Sequence, residues 1–244
     1  MHKRPEKPEN LVSRERRFWD RESELHSEGL FETFTRAAYE NIIELFRIRP
    51  QSLGLEYACG SGAFSGFITE SRLIGLDISF NLLRSSKSVI PVQGDGEALP
   101  FKNRAFDFVL CAAALHHIPK LDRAIAEIAR VIKPGGHIYI MELNTHHPQR
   151  KLVAGRQSRF RKTFKSTHFS PAETLIPEDT LFRELGRRGF ALRLKTYVSP
   201  EYTNPTRVGR LQSLVSRYLA KGILKKHLES YVLIKAQKER SREA

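Results

Sequence analysis

Cysteine is scarce: Cys59 and Cys111 are the two thiols in 244 residues. Two are too few for a disulfide framework or a cysteine zinc site. Long apolar runs are also missing, since none approaches the roughly 18 residues that a membrane span needs. The opening MHKRPEKPEN is polar and proline-bearing, with no apolar stretch of the signal-peptide kind behind it. A cytoplasmic location is the expectation. Disorder is excluded for most of the chain, because 40% of it is hydrophobic and 9% aromatic. The length suits one large domain or two small ones.

Acid is absent from one stretch in particular. Between Glu142 and Glu173 there is no Asp or Glu, while Arg150, Lys151, Arg156, Arg159, Arg161, Lys162 and Lys165 accumulate. The formal charge of +14 is therefore local. Residues 1–50 carry 10 basic and 10 acidic side chains, residues 51–144 carry 9 and 9, and residues 145–244 carry 22 and 8. A charge serving solubility alone would be spread more evenly.

Residues 13–47 have helical spacing, with Phe18, Trp19, Leu25, Leu30, Phe34, Ala38, Ile42, Leu45 and Phe46 forming apolar stripes and Gly29 separating two helices. From Leu53 short apolar runs take over. Residues 53–58, 72–77, 89–94, 106–113 and 136–143 read as five strands, apolar on both faces as buried parallel strands are. Leu121, Ala124, Ile125, Ile128 and Ile132 mark a helix that Lys133-Pro134-Gly135-Gly136 ends. A further helix is expected over 177–188, and strands over 190–198 and 230–237. Strand–helix alternation at this spacing predicts an α/β fold with a doubly wound, Rossmann-like parallel sheet.

In such a sheet a ligand lies at the carboxyl ends of the strands. There the first strand runs into Glu56-Tyr57-Ala58-Cys59-Gly60-Ser61-Gly62, with a helix expected from about Ala63. Glycines at 60 and 62 let the backbone turn tightly and approach a ligand, although an ordinary strand–helix turn would look the same. Asp77 ends the second strand, placed to accept from both hydroxyls of a ribose, or to serve as a helix N-terminal acid. Gly94-Asp95-Gly96-Glu97 follows the third strand, with Asp95 able to accept from an adenine amine.

Together, ExxxGxG at 56–62, Asp77, GDGEALPF, FDFVLCAAALHHI and ARVIKPGGHIYIMELN resemble the class I S-adenosylmethionine (SAM)-dependent methyltransferases. Within them they are most similar to the small-molecule branch that includes quinone-biosynthesis enzymes. The resemblance covers about residues 50–144 and implies a seven-stranded sheet whose last strand is antiparallel. It implies an N-terminal helical cap over 1–49, a SAM-binding core over 50–144, and an acceptor-side basic region over 145–244 that completes the same sheet. It further implies that Glu56 meets the amino group of the methionine moiety and that Gly60 and Gly62 pass close to the cofactor. Asp77 would hold the ribose, Ile78 the adenine face, Asp95 the adenine amine, and Gly96 a backbone contact. The family usually has Gly where this chain has Ala58, so space at Ala58 must be less restricted than usual.

A nicotinamide dehydrogenase is the rival use of the fold. Gly60, Gly62 and Gly66 read G-x-G-x-x-x-G rather than G-x-G-x-x-G, and Glu56 would oppose a pyrophosphate. A non-catalytic SAM-binding protein is a third reading. Methyl transfer is an in-line displacement that alignment serves first. A base is needed only if the nucleophile must lose a proton; His116 and His117 either take it or shape the pocket floor. His146 and His147 carry the same two readings. Metal binding is not expected, because adjacent histidines point apart. Trp19 and Tyr39, with Phe18, either line the acceptor pocket, contact the sulfonium by cation–π attraction, or pack on the sheet.

The cluster at 150–165, with Arg159, Arg161 and Lys162, points to an anionic small-molecule or lipid-linked acceptor, with peripheral membrane contact, or to RNA. A helix over 206–228 is expected to pack its apolar face on the sheet.

Overall fold

The apolar runs pair into one sheet. The computed structural model describes residues 10–27, 34–147, 170–199, 226–227 and 229–240. Its strands are β1 (Leu53–Tyr57), β2 (Arg72–Asp77), β3 (Ile90–Gln93), β4 (Phe106–Ala112), β5 (Ile132–Leu143), β6 (Phe190–Val198) and β7 (Tyr231–Lys238). They are ordered β3-β2-β1-β4-β5-β7-β6. β1 to β5 pair in parallel, and β7 enters between β5 and β6, antiparallel to both. This is the expected Rossmann-like arrangement with its antiparallel last strand.

The helices are α1 (Leu11–Ser27), α2 (Arg36–Phe46), α3 (Phe80–Ser85), α4 (Leu121–Val131) and α5 (Glu178–Arg187). The break expected at Gly29 falls outside the described residues. Thr35 caps α2 by accepting the Ala38 amide, and the helix buries Ala38, Tyr39, Ile42 and Phe46 on one face of the sheet. Against them stand Phe108, Leu110, Tyr139, Met141 and Leu233. The opposite face is covered by α4, through Ala124, Ile125 and Ile128, and by Leu181 and Leu185 of α5. Each Leu or Ile among them contributes about 1.5–3 kcal/mol when fully buried.

Two local expectations change. No α-helix follows β1: turns lead instead into a single 3-10 turn at Ser65–Phe67. Gly62 takes φ +78°, which a helix cannot contain, and Phe64 and Ile68 are drawn into the core under α2. The Lys133–Gly136 segment ends α4 as expected but belongs to the start of β5. There a register shift between Phe106 and Phe108 absorbs it. The basic segment 150–165 and nearly all of 206–228 lie outside the described residues. Among the described residues no helix is long and apolar enough to cross a membrane.

Gly54 shows how tightly the central strand is packed. A Cβ there would sit 2.2 Å from Phe108 Cζ and 2.7 Å from Leu73 Cδ2. Gly54→Ala is expected to cost about 1–3 kcal/mol. The check is a lowered urea midpoint at unchanged slope.

Candidate active site

The strand order reverses between β1 and β4, and at the carboxyl ends of these strands lies a cavity of about 290 Å³. Its walls come from the loops after β1, β2, β3 and β4 and from helices α1 and α2. Ala58, Gly60, Asp77, Ile78, Asp95 and Gly96 all line it, so three loop ends predicted from separate motifs converge on one space.

Asp77 ties these loops together. Its Oδ2 accepts the Gly60 amide and its Oδ1 the Ser79 amide, both at 2.8 Å. Its backbone carbonyl accepts the Gly94 amide at 3.0 Å. One residue thus fixes the glycine loop, the start of α3 and the loop after β3. Burial, opposed by these amides, pushes its carboxyl up to about 6. Ser79 extends the chain of contacts, donating from Oγ to Asp20 of α1 at 2.6 Å while accepting the Leu82 amide.

Glu56 lies behind the glycine loop rather than on the cavity wall. It is 3% exposed, and its Oε2 is buried with no hydrogen-bond partner. Burial raises its carboxyl to about 8 against the Phe64 and Ser65 amides. Ala58 takes φ 50°, as Gly60 takes 53°. The left-handed region costs a residue with a Cβ roughly 1–2 kcal/mol; the Ala58 methyl finds room because this residue faces the cavity. Gly62 is not on the wall. A Cβ there would meet Ser86 Oγ at 2.5 Å, so its absence lets the loop close on the residue that caps the end of α3.

The wall carrying Asp95 and Gly96 is held from behind. Asp95 Oδ1 accepts the Glu97 amide at 2.8 Å. A Cβ on Gly96 would lie 2.1 Å from the Tyr57 hydroxyl, so β1 itself dictates glycine at this position. Farther along, Glu127 accepts the Leu99 amide, and Arg130 donates to the carbonyls of Leu99 and Phe101.

The other half of the cavity is built by α1, α2 and the turn after β4. Trp19, Tyr39 and His117 line it. Tyr39 stacks on Phe67 at 4.7 Å, and Trp19 meets His117 edge-on at 4.9 Å. Phe18 is buried beside Trp19. His117 Nδ1 hydrogen-bonds Ser170 Oγ at 2.9 Å. His116 is buried beneath, its Nδ1 2.7 Å from Glu142 Oε2, while Glu142 Oε1 accepts the Ala114 and Leu115 amides. The two histidines therefore separate: His117 is on the wall and His116 fixes the turn that carries it. His146 lies 3.5 Å from Glu178, away from the cavity lining. His147 is buried. Cys59 and Cys111 are buried too, and burial pushes both thiols up. Arg159, Arg161 and Lys162 lie outside the described residues. No group of metal ligands occurs among the described residues.

Sequence reasoning missed Glu15, Asp20, Glu142 and Ser170. Glu15 was findable, since it precedes Trp19 by one helical turn and so shares its face. Its Oε2 accepts the Trp19 indole N–H at 3.1 Å, its Oε1 accepts the Ala172 amide, and burial raises its carboxyl. The others join segments far apart in the chain, and no local pattern announces them.

Comparison with known proteins agrees with this geometry. Residues 55–140 match the family described as a methyltransferase domain. A demethylmenaquinone methyltransferase of Thermobifida fusca is 38% identical over 111 residues, 41% of this chain and 47% of that one. Another of that description, from Bacillus cereus, is 27% identical over 121 residues, 44% of this chain and 51% of its own. The chain thus spans about half the length of these curated relatives. A SAM-dependent methyltransferase structure from Thermotoga maritima superposes with a TM-score of 0.66 at 18% identity, over 92% of this chain and all of that one, a likeness of fold. Residues 55–140 thus match a methyltransferase domain, within a sheet whose fold is like that of a SAM-dependent methyltransferase.

Proposed function

We propose that this chain is a SAM-dependent methyltransferase acting on a small acceptor that enters the cavity uncharged, of the quinol kind. The observation that carries this reading is the sign of the wall. Among the described residues lining the cavity are Glu15, Asp77 and Asp95, and no Lys or Arg. A cofactor with a cationic ammonium and a cationic sulfonium suits such a wall, whereas a pyrophosphate-bearing dinucleotide would meet three carboxylates. An anionic acceptor, expected from the cluster at 150–165, would meet the same three. The quinone-type relatives support an uncharged acceptor as well.

The residues present fit SAM. Glu56 offers a buried, unpartnered oxygen behind the glycine loop, where the ammonium of the methionine moiety would be neutralised. Asp77 retains lone pairs beyond the two it gives to backbone amides, and these would accept from the ribose hydroxyls. Ile78 and Gly96 would flank the adenine, with Asp95 toward its amine. Bound there, SAM supplies an electrophilic methyl group carried on cationic sulfur. The chain's own contribution is alignment: Asp77 fixes one side of the cavity, and Trp19, Tyr39 and His117 shape the other.

Asp77→Ala is expected to abolish the rise in Tm that excess S-adenosylhomocysteine (SAH) gives the native chain. A rise of full size in the variant, or one in the native chain with NAD(P)H and none with SAH, would overturn the reading.

The raised Glu56 carboxyl has a second consequence. Between the ordinary carboxyl range and about pH 8 the folded, unliganded chain holds a proton that the unfolded chain has released, so its stability falls as pH rises through that window. A cationic ammonium favours the ionised form, so affinity for SAH should rise from pH 6 to pH 8, with proton release on binding. Glu56→Gln should flatten this rise, weaken SAH at pH 8 by about tenfold or more, and raise the unliganded Tm there. Calorimetry in buffers of different ionisation enthalpy is the measurement, and pH-independent binding by the native chain would be the contrary result.

A further inference from the structure

Helix α1 brings one carboxylate to the half of the cavity that the cofactor contacts leave over. Glu15 lines the cavity although it is 3% exposed, and it stands one helical turn from Trp19 on the same face. Its Oε2 accepts the Trp19 indole N–H at 3.1 Å, and its Oε1 accepts the backbone amide of Ala172, which is itself buried. The second bond joins residues 157 apart in the chain, so the carboxylate is gripped by two distant segments. Farther along α1, Asp20 accepts from Ser79 Oγ at 2.6 Å, and its backbone carbonyl accepts from the Asn81 side chain at 3.1 Å. With the helix and the carboxylate both anchored, Glu15 has little freedom to turn away from the cavity.

The hydrogen-bonding sense of this group is fixed by its two partners. Burial raises the Glu15 carboxyl, and the Ala172 and Trp19 N–H groups oppose that rise. An ionised carboxylate has about four lone-pair sites and no hydrogen to give. Two sites are filled by those N–H groups, and toward the cavity the carboxylate can only accept. The described lining holds no Lys or Arg to neutralise it, and Trp19 directs its N–H at Glu15. A molecule that presents an O–H here gains a charge-assisted hydrogen bond. One that presents a carbonyl oxygen sets acceptor against acceptor and leaves both unpaired. Sites built in this way discriminate strongly against the analogue that lacks the hydrogen.

We propose that Glu15 is a specificity-determining residue that takes a hydrogen bond from the acceptor's hydroxyl, admitting the hydroxylated form of a ring and refusing the form in which that oxygen is a carbonyl. This rests on the methyltransferase reading and narrows its acceptor to the reduced, O–H-bearing state. On that reading Asp77 serves the ribose and Asp95 the adenine amine, so Glu15 is the lining carboxylate left to the acceptor. Val12, Trp19 and Ile118 offer apolar and aromatic surface on the same wall, as the body of a ring requires.

The test compares two probes with one carbon skeleton, 2,3-dimethyl-1,4-naphthoquinone and its hydroquinone, whose methyl groups block addition of thiols. Anaerobic equilibrium dialysis at pH 8 against the chain saturated with SAH gives both affinities. The native chain should bind the hydroquinone about tenfold or more tighter than the quinone. Glu15→Gln, whose amide donates as well as accepts, should narrow the ratio to about threefold or less while SAH still binds. Trp19→Phe leaves the carboxylate in place and should keep the preference, which maintains the test if Glu15→Gln unseats α1. Equal binding of the two forms by the native chain, or binding of neither, would overturn the proposal, as would a preference that survives Glu15→Gln or vanishes in Trp19→Phe. A tenfold loss of SAM affinity in Glu15→Gln with none for SAH would also overturn it, by assigning the carboxylate to the sulfonium. Failure of SAH to bind the native chain would instead sink the methyltransferase reading beneath it.

Discussion

The carboxylate of Asp77 is the constraint on which the site depends. It is buried, yet it carries two backbone amides from different loops, and its own carbonyl holds a third. A charge in such a place is costly unless it is hydrogen-bonded, and here the bonds that offset the cost also set the spacing of the loops after β1 and β3 and the start of α3. Through Ser79 and Asp20 the same line reaches α1, which carries Glu15 and Trp19 to the far wall. The glycine-loop half of the cavity and the half built by α1 are therefore two ends of one hydrogen-bonded structure.

Charge is arranged against the chain's average. The sequence carries 41 Lys+Arg against 27 Asp+Glu, yet the described cavity wall holds acids without a cation. Glu56 and Asp77 are both raised by burial, and the charge of Asp77 adds to the cost of ionising Glu56. Two buried acids this close are an expense for the empty protein that a cationic ligand relieves. The interior favours its ligand by being uncomfortable without it.

What was legible in the sequence was what repeats locally. Strand periodicity placed six of the seven strands within a residue or two, and for β1, β2 and β4 the reason is that buried parallel strands need continuous apolar runs. The glycine loop, Asp77 and Asp95 were legible because a tight turn and a strand-tip acid each have a fixed offset. The helix expected from Ala63 was not formed, since positive φ at Gly62 and the pull of Phe64 and Ile68 toward α2 outweigh local propensity. His116 and His117 looked equivalent as neighbours, and only the tertiary positions of Glu142 and Ser170 tell them apart. Gly96 was read for what it might touch in a ligand, whereas the Tyr57 hydroxyl behind it is what forbids a side chain.

The place of β7 has a consequence for how the molecule is assembled. It lies between β5 and β6 although it follows both in the chain. A ribosome therefore delivers β1 to β5 with the β5 edge still open, and that edge stays unpaired until residues 231–238 emerge. Ala172, whose amide anchors Glu15, is also made long after α1. Vectorial synthesis thus yields the loops after β1 to β4 early and the contact that holds α1 late, with the first helix waiting for most of the chain before it can dock.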